Sequence, residues 1–187
     1  MPKSVLVIFA HPQKERSRVN RRILTAIKEE PQFTIRDLYD CYPDFLVDTS
    51  AEQEQLVQAD LIAIIHPIYW YSVPSLLKEW QDAVWARGWA YAKDGDKLKG
   101  KHIRHFVSTG GPASSYDPLG YNQHPISQYL LPLQQSAKLC QMIWHEPLVF
   151  SGAHGAGEEE MVRHGAFVRE ELMSFHRHGK FLEPNPL

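Results

Sequence analysis

The sequence predicts one α/β domain: a doubly wound parallel sheet of about five strands with helices on both faces. Two observations carry this. Val5–Ala10 (VLVIFA) and Leu61–Ile65 (LIAII) are continuous apolar runs, as strands covered on both faces require. Helical spacing recurs between such runs, so strand and helix alternate about five times, which implies parallel pairing.

The elements follow in order. Val5–Ala10 is the first strand, and Val19, Ile23 and Ile27 repeat at four-residue spacing in the helix after it. Thr34–Tyr39 (TIRDLY) alternates and suits an edge strand. After the third strand, Leu61–Ile65, Pro74 opens a helix in its first turn, and Leu76, Leu77, Trp80 and Val84 form the apolar face. Arg87–Lys101 reads as a long loop, and Ile103–Ser108 (IRHFVS) as the fourth strand. A fifth lies near Leu148–Phe150. The last helix, about Glu158 to His178, has three acids at its start, His176, Arg177 and His178 at its end, and Gly179 as its stop.

At 187 residues a single domain hides roughly 70% of its unfolded surface and needs no staples. Twenty basic against 22 acidic residues leave no basic excess to suggest nucleic acid. Cys41 and Cys140 form no CxxC or zinc spacing and read as reduced, packed thiols of a cytoplasmic protein. The ten histidines include no HExxH or Cys/His cluster, so no metal site is expected. No apolar run approaches the ~20 residues of a membrane span, and the N-terminus reads as a strand rather than a signal peptide.

Open α/β sheets bind ligands beyond the carboxyl ends of their strands, where strand order reverses. For the order 2-1-3-4-5 this singles out the segments after strands one, three and four: HPQKERSRVN, HPIYWYSVP and STGGPASSY. In the first, Ser17 or a neighbour can cap the helix, whose free N–H groups, with Arg18, favour a phosphate; the alternative is a plain capped helix. No P-loop and no GxGxxG is present. In the third, Gly110-Gly111 lets backbone N–H groups approach a planar ligand, or simply makes a turn. In the second, Tyr69, Trp70 and Tyr71 form a wall for a flat ring, unless they fill a core or an interface. Gly152–Gly157 is glycine-dense but has the wrong order for a dinucleotide fingerprint and reads as a loop.

Together, AHP…SRVNRR, YPDFLVDTSAEQ, HPIYWYSVPSLLKEW, RGWAYAKDGDKLKGKH and STGGPASSY resemble, in order, the NAD(P)H:quinone oxidoreductases. The likeness is nearest to the short bacterial KefF/KefG type, ancillary proteins of glutathione-gated potassium efflux, and spans about Val5 to Phe150. It implies a flavodoxin-like fold of strand order 2-1-3-4-5, a homodimer, and bound FMN; FAD belongs to longer relatives. By that resemblance, His11, Ser17, Arg18, Val19 and Asn20 would hold the phosphate and ribityl chain. Pro67, Ile68, Tyr69, Trp70 and Tyr71, with Ser108, Thr109, Gly110 and Gly111, would hold the ring. The mammalian-type members place a tyrosine after the glycine turn and a histidine a few residues later, both stabilising charge on the reduced flavin. Tyr116 matches the tyrosine, and His124 sits two residues beyond the histidine's place.

The resulting expectation is a ping-pong reductase in which NAD(P)H reduces FMN and a quinone, or another flat acceptor such as an azo or nitroaromatic compound, reoxidises it. The alternative is a regulatory subunit on a membrane potassium-efflux transporter, peripheral at the inner face of the cell membrane. Lys93, Lys97, Lys99 and Lys101 are candidates to meet an NADPH 2′-phosphate, although loop lysines are usually just solvated. Trp85, Trp89 and Tyr91 suit a dimer interface or a buried core equally.

Overall fold

The computed structural model describes residues 1–182. Five strands, β1 (Val5–Phe9), β2 (Phe33–Asp37), β3 (Leu61–Pro67), β4 (His102–Ser108) and β5 (Ile143–Phe150), form one parallel sheet of order β2-β1-β3-β4-β5. The expected flavodoxin-like topology is the observed one.

Strand residues alternate between two cores because side chains of a strand point to opposite faces. Leu6, Ile8, Ile62, Ile64 and Ile103 face a layer built from α2 (Leu38–Cys41), α3 (Thr49–Gln58), α4 (Ser75–Val84) and α6 (Leu131–Leu139), where Trp80 is wholly buried. Val5, Val7, Phe9, Ala63, Ile65 and Phe106 face α1 (Val19–Ile27) and α7 (Glu158–His178). A short α5 (Ile126–Tyr129) lies in the connection after β4. Among the described residues each face holds one ion pair with a buried carboxylate. Glu52, with no exposed surface, accepts from Arg36 Nη2 (2.6 Å), Tyr42 Oη (2.7 Å) and Trp80 Nε1 (2.9 Å). On the other face Arg104 donates to Glu171 at 2.9 Å.

Several boundaries differ from the sequence reading. The second strand ends at Asp37, not Tyr39, because the Asp37 carboxylate accepts from the Tyr39 N–H and starts α2, turning Leu38 into the core. β5 begins five residues earlier than expected; His145, Glu146 and Pro147 interrupt its apolar run, and the register with β4 shifts between Arg104 and Phe106. Pro74 is the N-cap of α4 rather than part of its first turn. Cys140 is buried, but Cys41 is exposed, contrary to a packed thiol. Trp85 is buried, and Trp89 and Tyr91 pack partly buried against the same core. Residues 87–101 form the expected long loop, and Gly179 ends α7 at φ 68°. Among the described residues no helix is long and apolar enough to cross a membrane, and no group of three metal-ligating side chains converges.

Candidate functional site: a cavity at the carboxyl edge of the sheet

The loops after β1, β3, β4 and β5 enclose a cavity of about 510 Å³. Backbone hydrogen bonds fix its floor. Ile68 N donates to Ser108 O (2.8 Å), Thr109 N to Phe150 O (2.9 Å), Ala153 N to Thr109 O (2.9 Å) and Gly152 N to Gly111 O (2.7 Å), which ties three loops together.

The β1 loop supplies the polar end. His11 is nearly buried, and its Nδ1 accepts from Gln13 N at 3.1 Å, which puts the ring proton on Nε2. Burial holds its pKa below the ordinary imidazole value, so the ring is a neutral donor at pH 7. The loop is pinned outward by Lys14, which pairs with Asp37 (2.9 Å) and with Asp40. The first N–H groups of α1 have no partner within that helix. Neither Ser17 nor a neighbour caps it through a side chain, as the sequence suggested: Arg18 occupies the N-cap position and no side chain bonds the helix start. Ser17, Arg18 and Val19 line the cavity, as do Gln13 and Arg16, which sequence reading passed over. Asn20 does not; it is fully buried, with both amide atoms unpartnered.

The aromatic loop is a two-residue reverse turn. Tyr69 N donates to Ser72 O and Ser72 N to Tyr69 O, both at 3.0 Å, while Trp70 (φ 49°) and Tyr71 (φ 61°) lie in the left-handed region. That mirror-image turn favours Asn-Gly, and bulky aromatics there cost about 1–3 kcal/mol each. Tyr69 and Trp70, with Pro67 and Ile68, line the cavity, and Trp70 is 93% exposed. Tyr69 meets His11 edge-on, ring centres 6.0 Å apart. Tyr71 turns away from the cavity.

Tyr71, Tyr116 and His124 instead converge on Tyr129, a residue the sequence did not single out, with ring centres 5.1, 6.1 and 6.2 Å from it. Tyr71 Oη donates to Asn122 Oδ1 (3.2 Å) and Tyr129 Oη to Asn122 O (3.0 Å). Neither Tyr116 nor His124 lines the cavity, and His124 is exposed. Ser108, Thr109 and Gly110 line it; Gly111 does not, but its carbonyl accepts from Thr109 Oγ1 at 2.8 Å.

The fourth wall is the Gly152–Gly157 loop, which sequence analysis set aside. Ala153 and His154 line the cavity, and a Cβ on Gly110 would overlap the His154 imidazole. The available signal was topological: Ser108 pairs with Phe150, so the segments after β4 and β5 must be neighbours.

A polar end, an exposed aromatic wall and a glycine floor at the strand-order reversal define a flavodoxin-like protein. The family model described as flavodoxin-like fold matches residues 3–170, and the chain belongs to that family. Among relatives, it is 38% identical over 173 residues to the glutathione-regulated potassium-efflux system ancillary protein KefG of Yersinia enterocolitica, covering 92% of this chain and 94% of that one. Among solved structures, general stress protein 14 of Treponema denticola, in complex with FMN, superposes with a TM-score of 0.83 at 34% identity, covering 87% and 93% of the two chains. An NADPH-quinone reductase from P. pentosaceus superposes with a TM-score of 0.78 at 25% identity, covering 89% and 97%.

Proposed function

We propose that the chain binds FMN and acts as an NAD(P)H-dependent oxidoreductase on quinones or other flat acceptors. The observation that carries this is the single cavity joining a cationic, N–H-rich end to an aromatic turn. Its volume lies in the usual range for cofactor sites. The similarity to a structure solved with FMN and to an NADPH-quinone reductase supports the same reading.

Bound FMN supplies hydride acceptance from a nicotinamide and two-electron reduction of the acceptor. The chain's own residues do the rest. His11, Arg16 and the first N–H groups of α1 would hold its phosphate. Tyr69 and Trp70 give a flat ring its stacking surface. At Gly110, where no Cβ fits, the backbone can approach a ring edge. Tyr116 and His124 lie outside the cavity and have no part in this arrangement. The nicotinamide and the acceptor use one opening in turn, so the kinetics are ping-pong. Anaerobic bleaching of the yellow protein by NADH and NADPH separately, then reoxidation by a quinone, tests the reading. A colourless protein that takes up no FMN, or intersecting steady-state lines, would contradict it.

A second reading is motivated by the KefG relatives: this protein docks on a glutathione-regulated potassium-efflux transporter at the cytoplasmic face of the membrane. Efflux from transporter vesicles with and without the flavin-free protein separates the two roles. Exposed Leu119 and Tyr121, on the loop after β4, are surface that a second copy would cover in a homodimer, checked by sedimentation.

A further inference from the structure

We propose that Arg18 is a positioning residue that latches the β5–α7 loop, and that Arg16 is the cation left to meet a ligand phosphate. The inference rests on the flavin reading but divides its two arginines by what they already touch.

Arg18 Nη1 donates to Ala153 O (3.0 Å) and His154 O (2.7 Å), and Nη2 donates to Ala156 O (2.7 Å). Three of the five N–H groups of its fork are thereby committed to carbonyls about 135 residues away in sequence. Hydrogen bonds from a charged donor are the stronger kind, and this set bridges the start of α1 to the loop carrying His154. With the loop so held, the His154 ring lies against Gly110 and closes the cavity beside its glycine floor. Turning Arg18 onto a phosphate would release that wall. Arg16 has no such obligation. Lys14, Arg21 and Arg22 pair with Asp37, Glu15 and Glu158, whereas Arg16 lines the cavity exposed and without an acidic partner among the described residues.

Riboflavin carries the ring and ribityl chain of FMN but no phosphate, so it separates the two roles. Binding of each to the flavin-free protein is followed by fluorescence quenching. Arg18→Ala is expected to weaken FMN and riboflavin by the same factor, about tenfold for loss of a charged hydrogen-bond set. Arg16→Ala is expected to weaken FMN about as much and leave riboflavin unchanged. Riboflavin binding untouched by Arg18→Ala, with FMN weakened, would overturn the assignment. Hydrogen exchange in the flavin-free protein provides a readout independent of any cofactor. The N–H groups of Gly155 and Ala156, bonded to Gly152 O, should exchange faster in Arg18→Ala and at the wild-type rate in Arg16→Ala. Unchanged exchange in Arg18→Ala would overturn the latch even in a protein that binds neither flavin, an outcome that by itself refutes only the cofactor reading. Circular dichroism of both variants separates these results from loss of fold.

Discussion

His66 Nε2 and His105 Nδ1 lie 3.0 Å apart on adjacent strands, both rings buried in the sheet. His66 Nδ1–H donates to Pro67 O (3.0 Å), so its Nε2 is the acceptor and His105 Nδ1 carries the bridging proton. Burial pushes His66 down to about 4 and His105 well below its ordinary value. His145 and His164 are also pushed down to about 4 by burial.

These shifts fix the sign of the acid response. Below about 6.5 the unfolded chain takes up protons on these histidines that the folded protein refuses, until about 4 for His66, His145 and His164. The unfolded state therefore binds more protons in that window, and stability, full above it, is lost as pH falls through it. The slope approaches about 1.4 kcal/mol per pH unit for each such histidine. Urea midpoints measured between pH 7 and pH 4.5 should drop steadily; a flat profile would contradict the neutral assignment.

Glu52 is expected to be the most sensitive charged position of the core. Glu52→Ala leaves Arg36 without its partner and Tyr42 and Trp80 without their acceptor, at a cost of about 3–5 kcal/mol. Burial and the bond to Glu52 hold the Tyr42 hydroxyl up at about 12, so ultraviolet titration of any folded variant should show that tyrosine ionising earlier. Equal urea stability of variant and wild type would refute the role.

The aromatic turn sets stability against binding. Trp70→Asn puts a residue tolerant of the left-handed region at an exposed position and should stabilise the fold by about 1 kcal/mol. The same change removes stacking surface, so FMN should be held less tightly. A lower thermal midpoint, or undiminished FMN retention, would count against this account.

Two glycines should respond to alanine in opposite ways. Gly110→Ala displaces only the exposed His154 side chain, so FMN binding should fall while the thermal midpoint barely moves. At Gly165 the added Cβ would sit 2.7 Å from Arg22 O, a backbone atom of the neighbouring helix. Overpacking there should cost about 1–3 kcal/mol, visible in urea unfolding. Similar stability losses for the two variants would refute the distinction.

The sheet was legible because strands buried on both faces write continuous apolar runs, as in Val5–Phe9 and Leu61–Ile65. The helix Thr49–Gln58 was not, because only Glu52 and Leu56 are buried on it and one of those is a charge, leaving no apolar stripe to read. Likewise β5 was read short because it lies at an edge with its polar residues half covered. In the site, loop positions followed from topology, but side-chain directions did not. Tyr71 leaves the cavity because its turn is left-handed at two successive residues, which no pattern of residue types announces. Arg18 is diverted by carbonyls far along the chain, and the histidine that lines the cavity against Gly110 is His154, not His124.

The crossing at Gly165 also means that α1 behaves as a short rigid rod with one end at the cavity. Nine residues at about 1.5 Å rise leave roughly 13 Å between its ends, and the crossing at Arg22 lies one turn from Val19. A wedge driven between the two helices would tilt the rod and re-aim the N–H groups at its tip. Ligand preference can therefore drift through substitutions on the buried side of α7 that touch no cavity-lining atom.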